Sequence, residues 1–470
     1  MKLLVDQLKD AVGENHVLVD GDLTAWEQDW RKRSLGKALA VVRPGNTAEV
    51  AAVVKACAAA GVSIVPQGGN TGLVVGSTPD DSGTQVVLSL QRMNAVRNID
   101  AANLTMTLEA GCILQAAQEA AQRAGFLFPL SLAAEGSCTI GGNLSTNAGG
   151  TQVVRYGNAR ELCLGVEVVT AQGEIWNGLS GLRKDNTGYD LRDLFVGSEG
   201  TLGVITAATM KLYPLPAVSL TAWAAVPSMD EAVHLLGLAH RHLGAGLTGF
   251  EVMGQFPLQL VAKHFPKLRV PFHESSPYCV LLENSDHESA EHARAQFERL
   301  LEYAMEEGVV ADAVVAENIA QARQLWHIRE SIPMAQVEEG LNIKHDISIP
   351  VSAIPRFCDV TQAALEREIP GVRLVNFGHL GDGNLHFNVQ APEGGDPAAF
   401  LREYEELVTT IVYDSVREFG GSISAEHGVG SLKLDKLVEH KSPVALEMMR
   451  AIKRALDPQN LMNPGRVLRP

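Results

Sequence analysis

No apolar run in this 470-residue chain approaches the roughly 18–20 residues that a membrane-crossing helix needs. The segment Met1 to Asp10 scatters charges through an amphipathic helix start and lacks the uninterrupted apolar stretch of a signal peptide. The six cysteines, Cys57, Cys112, Cys138, Cys163, Cys279 and Cys358, form no CxxC pair and read as reduced, mostly buried thiols of a cytoplasmic protein. Positive charge is also scarce. Lys and Arg number 39 against 55 Asp and Glu, a net charge of −16, which disfavours nucleic acid and anionic membrane surfaces as partners. Two nucleotide signatures are missing as well: no GxGxxG opens a helix, and no GxxxxGK[ST] occurs, which argues against a Rossmann nicotinamide site and a P-loop. A hydrophobic content of 46% and a charged content of 20% then describe an ordinary globular chain, long enough for two or three domains.

Glycine, by contrast, is concentrated. Three loops, Gln67 to Gly72, Gly136 to Gly150 and Gly197 to Gly203, mix glycine with hydroxyl and amide side chains. Glycine lets backbone N–H groups approach a phosphate and tolerates the turns that aim them. The first two loops read as walls of a pyrophosphate site; with 44 glycines in the chain, ordinary loops are the competing reading.

A second concentration is Asn376 to Val389 followed by Ser424 to Gly430, which hold His379, His386, Glu426 and His427. Asp382-Gly383 is a two-residue hairpin signal. A turn centred there pairs 379 with 386 and sets the two imidazoles opposite each other, Cβ atoms roughly 5 Å apart. They could share a metal with Glu426, two imidazoles and a carboxylate with open positions being a catalytic pattern that suits zinc, manganese or iron. His427 would then be an imidazole beside the metal, able to move a proton. The plainer alternative is a histidine pair on a half-exposed hairpin with Glu426 on a solvated turn.

Periodicity divides the sequence into a helical lead-in over 1–37, a domain over 38–216 that opens β-α-β on a mixed sheet, an α+β domain over 217–425 with a large antiparallel sheet, and a closing segment over 426–470 that returns to the first domain. In the second domain, strands are predicted near 218–226, 246–253, 278–284, 309–315, 343–349 and 372–389. Helices are predicted near 229–242, 287–306, 318–339, 353–367 and 397–419.

The motifs Pro66-Gln-Gly-Gly-Asn-Thr-Gly72, Thr139-Ile-Gly-Gly-Asn143 with Asn147-Ala-Gly-Gly150, and Gly197 to Thr206 resemble the FAD-binding half of the vanillyl-alcohol-oxidase/p-cresol-methylhydroxylase superfamily. Gly378 to His386, Ser424 to Gly430 and Pro464-Gly465 are similar to its D-2-hydroxyacid dehydrogenase branch, most of all the D-2-hydroxyglutarate dehydrogenases. The resemblance implies a two-part FAD-binding domain plus an α+β substrate domain, and spans roughly residues 38 to 468. It implies FAD contacts from Pro66, Gly68, Gly69, Asn70, Thr71, Gly72, Ser131, Thr139, Gly141, Gly142, Asn143, Ser145, Asn147, Ala148, Gly149, Gly203, Val204 and Asn463. Asn70 stands where several members carry a flavin-linked histidine, which implies non-covalent FAD.

The same resemblance implies a divalent metal, zinc first, on His379, His386 and Glu426. It further implies that Arg329 and Lys344 would bind the distal carboxylate of the substrate and that Asn388 would lie in the substrate shell; His427 would then contact substrate and take its hydroxyl proton while hydride passes to flavin N5. A family threonine four residues beyond the arginine is Pro333 here. The implied reaction oxidises D-2-hydroxyglutarate to 2-oxoglutarate and passes electrons to an electron-transfer flavoprotein or a quinone-linked partner, and the resemblance is compatible with a homodimer. Two alternatives remain: a dehydrogenase of D-lactate or of another short D-2-hydroxyacid, and a non-catalytic flavin-binding subunit of a redox complex.

Overall fold

The computed structural model describes residues 2–469, which divide into two units. Of these, 2–149, 157–215 and 426–469 form the first; 150–156 and 216–425 form the second.

The first unit holds two sheets. Val17–Leu18, Ala38–Val42, Gln85–Ser89 and Ile64–Gln67 lie side by side in that order, parallel except for the first pair. The stretch 1–37 therefore contributes a strand as well as its leading helix, Lys2–Val12. The crossover helix, Thr47–Ala60, starts where Asn46 Oδ1 accepts the Glu49 amide at 3.0 Å and stops at Gly61, whose φ of +64° suits glycine. The second sheet is antiparallel, in the order Val96–Asp100, Thr105–Glu109, Gly203–Lys211, Cys163–Thr170 and Ile175–Gly178.

The closing segment is built into the first sheet's edge. Ile64 donates to Leu461 O and Asn463 donates to Ile64 O, both at 2.8 Å. The Lys453 ammonium meets Thr201 O, Met462 O and the Asp457 carboxylate at 2.6–2.8 Å, so its half-buried charge has three acceptors.

The second unit is an antiparallel sheet with helices on both faces. Its central strands are Val218–Val226, Tyr278–Asp286, Leu247–Gly254, Arg373–His379 and Asn384–Gln390, with Asp312–Val315 at one edge. At the other edge, Asn342–Ile343 and Asp346–Ser348 both pair with Asn384–Gln390, so the strand expected over 343–349 breaks at Lys344 and His345. Alternation sorts the side chains. Phe250, Val252, Leu385, Phe387 and Val389 enter one core with the helices Met229–Leu243 and Ala290–Glu306. Met253, Val375 and Phe377 enter the other, beneath Ile319–Glu339 and Gln255–His264. Among the described residues no helix is long and apolar enough to cross a membrane.

Candidate active site

In the first unit the glycine loops meet around a cleft. Their approach explains the glycines. A Cβ on Gly69 would lie 2.0 Å from Ser137 O, and one on Gly68 would lie 2.3 Å from Thr139 Oγ1, so side chains there would push the loops apart. At Gly72 nothing lies within 4 Å, and this glycine lines the opening. Pro66, Gly68, Gly69, Asn70, Thr71, Gly72, Thr139, Gly141, Gly142, Asn143, Ser145, Gly203 and Val204 all line the cleft. Ser131, Asn147, Ala148, Gly149 and Asn463 do not. Ser131 bonds Glu135, Asn147 Oδ1 accepts the Arg160 amide, and Asn463 Nδ2 donates to Gly76 O and Glu199 O, so these three brace the loops from behind. His427 is also part of the lining.

Two details suit a polar cofactor in this cleft. The Asn143 Nδ2 donor is buried without a protein acceptor, a costly arrangement unless a ligand supplies one. Asn70 spends its amide on the framework: Nδ2 donates to Gln28 O at 2.8 Å and Oδ1 accepts from Ser77 at 3.0 Å. It offers no nucleophile.

A residue that sequence reading gave no role, Glu199, fixes the segment carrying His427. Its carboxylate accepts the amides of Val429 at 2.7 Å and Gly430 at 2.8 Å. Burial raises its pKa, and the two amides oppose that rise by stabilising the carboxylate.

In the second unit the hairpin departs from its expected register. The connection is the four-residue turn 380–383, with Leu380–Asp382 in a single helical turn, so His379 pairs with Asn384 and His386 pairs with Phe377. The two-residue turn expected at Asp382-Gly383 and the direct opposition of the histidines are therefore corrected. Only Gly383 of that pair takes positive φ, +85°. The histidines are diagonal neighbours on one face instead. Their ring centroids are 5.8 Å apart and their ligating nitrogens lie within 4.8 Å of each other, so the capacity to share an ion survives the shift.

Glu251 stands level with His379 on the neighbouring strand, since Val252 pairs with Gly378. Its Oε1 lies 2.5 Å from His379 Nδ1, and its Oε2 accepts from Arg329 Nε at 2.7 Å. The carboxylate is fully buried. Burial alone would raise its pKa; His379 and Arg329 reverse that and hold it well below the usual carboxylate range. The Arg329 guanidinium lies 4.9 Å from the Phe377 ring centroid, and no described residue takes a hydrogen bond from its two Nη groups.

The remaining second-unit residues are placed differently. Lys344 is exposed in the break between the two short edge strands, level by count with Asn388. Asn388 is buried; Oδ1 accepts the His345 amide at 3.0 Å and Nδ2 donates to Gln336 at 3.1 Å. Asp346 pairs with His386, and its backbone oxygen lies 3.4 Å from the amide nitrogen of Ala425, the residue that directly precedes Glu426.

Two family models match the chain, an FAD binding domain over residues 38–178 and the C-terminal domain of FAD linked oxidases over 215–467. A D-2-hydroxyglutarate dehydrogenase of Xanthomonas citri pv. viticola is 40% identical over 446 residues, 95% of this chain and 92% of that protein. The mitochondrial D-2-hydroxyglutarate dehydrogenases of Arabidopsis thaliana and Bos taurus are each 38% identical, covering 99% and 94% of this chain and 81% and 78% of theirs. Among solved structures, p-cresol methylhydroxylase with bound substrate superposes with a TM-score of 0.76 at 16% identity, over 99% of this chain and 96% of that one, a likeness of fold. The chain belongs to the FAD-linked oxidase family, and the D-2-hydroxyglutarate dehydrogenases are among its relatives. It is an FAD-dependent oxidoreductase acting on a hydroxyl group, with the glycine-loop cleft in its FAD-binding part.

Proposed function

We propose that the protein oxidises D-2-hydroxyglutarate to 2-oxoglutarate with non-covalent FAD and a divalent metal, zinc before manganese or iron. The observation that carries the substrate is Arg329. It is a buried cation with both Nη donors uncommitted, on the sheet face that also holds His379 and His386. A guanidinium so presented is suited to a carboxylate that takes two parallel hydrogen bonds. The relatives at 38–40% identity carry this activity in their names.

Donor chemistry supports the metal. His379 Nδ1 faces an ionised carboxylate and therefore carries the proton, which leaves Nε2 as a ligand. His386 supplies a second imidazole. Glu426, one peptide bond beyond Ala425, is the proposed third ligand. When bound, FAD supplies a two-electron acceptor and the metal supplies Lewis acidity. The protein's own residues hold the two carboxylates and take the hydroxyl proton, the latter assigned to His427. The substrate thus loses a hydride from C2 and a proton from oxygen, leaving a ketone. Electrons then pass to an electron-transfer flavoprotein or a quinone-linked partner. Six cysteines buried as thiols support a reducing compartment such as the cytoplasm.

The Glu251 contact favours a second reading. If Arg329 served only to neutralise that carboxylate, a shorter acid such as D-lactate would be the substrate. Anaerobic flavin bleaching with D-2-hydroxyglutarate, D-lactate, D-malate and their L-isomers separates the two. Fastest bleaching by D-2-hydroxyglutarate is expected, and D-lactate in first place would reverse the order of the readings.

A further inference from the structure

We propose that Glu251 is a positioning residue that serves both halves of substrate recognition, setting the metal-binding tautomer of His379 with one oxygen and aiming Arg329 with the other. The inference rests on the metal and diacid reading above. A strand that is buried throughout, Leu247–Gly254, carries one charged residue, and each of its carboxylate oxygens is matched to one donor. Neither partner duplicates the other. The His379 contact decides which ring nitrogen keeps its lone pair. The Arg329 contact occupies Nε and leaves the Nη1–Nη2 end of the guanidinium as the fork that can meet a carboxylate.

Ionised Glu251 can accept from both partners; a glutamine cannot. In Glu251→Gln the amide oxygen can satisfy one donor, while its NH2 confronts the other. If the NH2 faces His379, the ring must take the opposite tautomer to accept from it, and Nε2 then carries a proton in place of a lone pair. If the NH2 faces Arg329, two donors oppose each other in a buried site and the guanidinium must shift. Either placement also removes the charge that both donors face, so the substitution weakens metal binding and diacid recognition together, while changing the volume little.

The test uses the full-length flavoprotein, stripped of metal with a chelator and titrated with zinc, beside steady-state kinetics with D-2-hydroxyglutarate and D-lactate. In Glu251→Gln the zinc Kd is expected to rise 10- to 100-fold, the usual effect of losing the carboxylate behind a ligating histidine. The hydroxyglutarate-to-lactate ratio of kcat/KM is expected to fall at least about tenfold, on the scale of one charge-assisted contact. Arg329→Ala is expected to lower only the ratio, leaving the zinc Kd within about threefold. FAD content and thermal midpoint report the fold; should the glutamine variant be insoluble, Glu251→Asp, which keeps the charge but retracts the oxygens, is expected to show both losses. A folded variant with wild-type zinc affinity and an unchanged ratio overturns the proposal while leaving the metal reading intact. Wild-type protein that binds no zinc, manganese or iron overturns both.

Discussion

The Glu199 carboxylate accepts the amide of Gly430 at 2.8 Å across 231 residues of sequence. With the Val429 amide on its other oxygen, it clamps the segment that carries His427 to the glycine turn at 197–200. Glu199 itself has φ +51°, so this turn stores strain at a functional loop.

Glu199→Ala leaves two inward-facing amides without an acceptor. At about 1–3 kcal/mol for each unsatisfied donor, unit one should lose on the order of 2–6 kcal/mol and release FAD at lower temperature. Flavin fluorescence during a thermal ramp measures this. An unchanged release midpoint would show that the clamp is dispensable.

His427 lines the flavin cleft and is the residue to which proton removal is assigned. His427→Ala should keep metal and FAD yet slow anaerobic flavin reduction by roughly 10²–10⁴-fold, the usual contribution of a general base. Stopped-flow absorbance at the flavin band provides the rate. A loss below about threefold would assign the proton to another group.

Arg329→Ala and Lys344→Ala should each weaken turnover of D-2-hydroxyglutarate far more than that of D-lactate, which has no second carboxylate. A charge-assisted contact of about 1.5–3 kcal/mol corresponds to roughly 10- to 150-fold in kcat/KM. The double variant should be non-additive if both hold one carboxylate. Equal losses for both acids would tie the cations to the common carboxylate or to folding.

Glu339 provides a test of acid stability away from the site. It meets Lys263 at 2.6 Å, His264 at 2.8 Å and Arg373 at 2.6 Å. Burial raises its pKa, but these three partners outweigh it and bring the value down from 4.5 to about 2. An acid depressed on folding stabilises the native state above its unfolded pKa and loses that contribution as pH falls through its folded pKa. The wild type should therefore lose about 2–3 kcal/mol from this group between pH 4.5 and 2. Glu339→Gln should be less stable at pH 7, with the gap narrowing over that interval; urea melts at several pH values measure it. A gap independent of pH would remove the ionic explanation.

Much of the second unit was legible because its strands alternate and its helices carry apolar stripes. The predicted helix over 318–339 is observed as Ile319–Glu339 and the strand near 218–226 as Val218–Val226. The hairpin register was not legible, because Asp382-Gly383 signals a tight turn while Leu380, buried in the core, favours a wider one. Glu251 does carry a local signal: a lone acid in the otherwise uncharged Leu247–Gly254 strand must find buried partners. Its partners come from a helix and a strand 78 and 128 residues away, and no local pattern names them. Asn388, which the family resemblance places in the substrate shell, also has partners that no local pattern names, His345 and Gln336.

The flavin-binding unit is interrupted between Leu215 and Glu426 and is finished by Asn463 and its neighbours. During synthesis its first two segments emerge long before their last partner. At about 5–20 residues per second, that gap lasts on the order of 10–50 s on the ribosome. The nascent polypeptide must hold the edge at Ile64 unpaired through that interval while the inserted unit has time to fold first. A ribosome stalled before Leu461 would thus carry a glycine-loop scaffold whose sheet edge and whose Gly76 and Glu199 carbonyls still lack the partners that Leu461 and Asn463 supply.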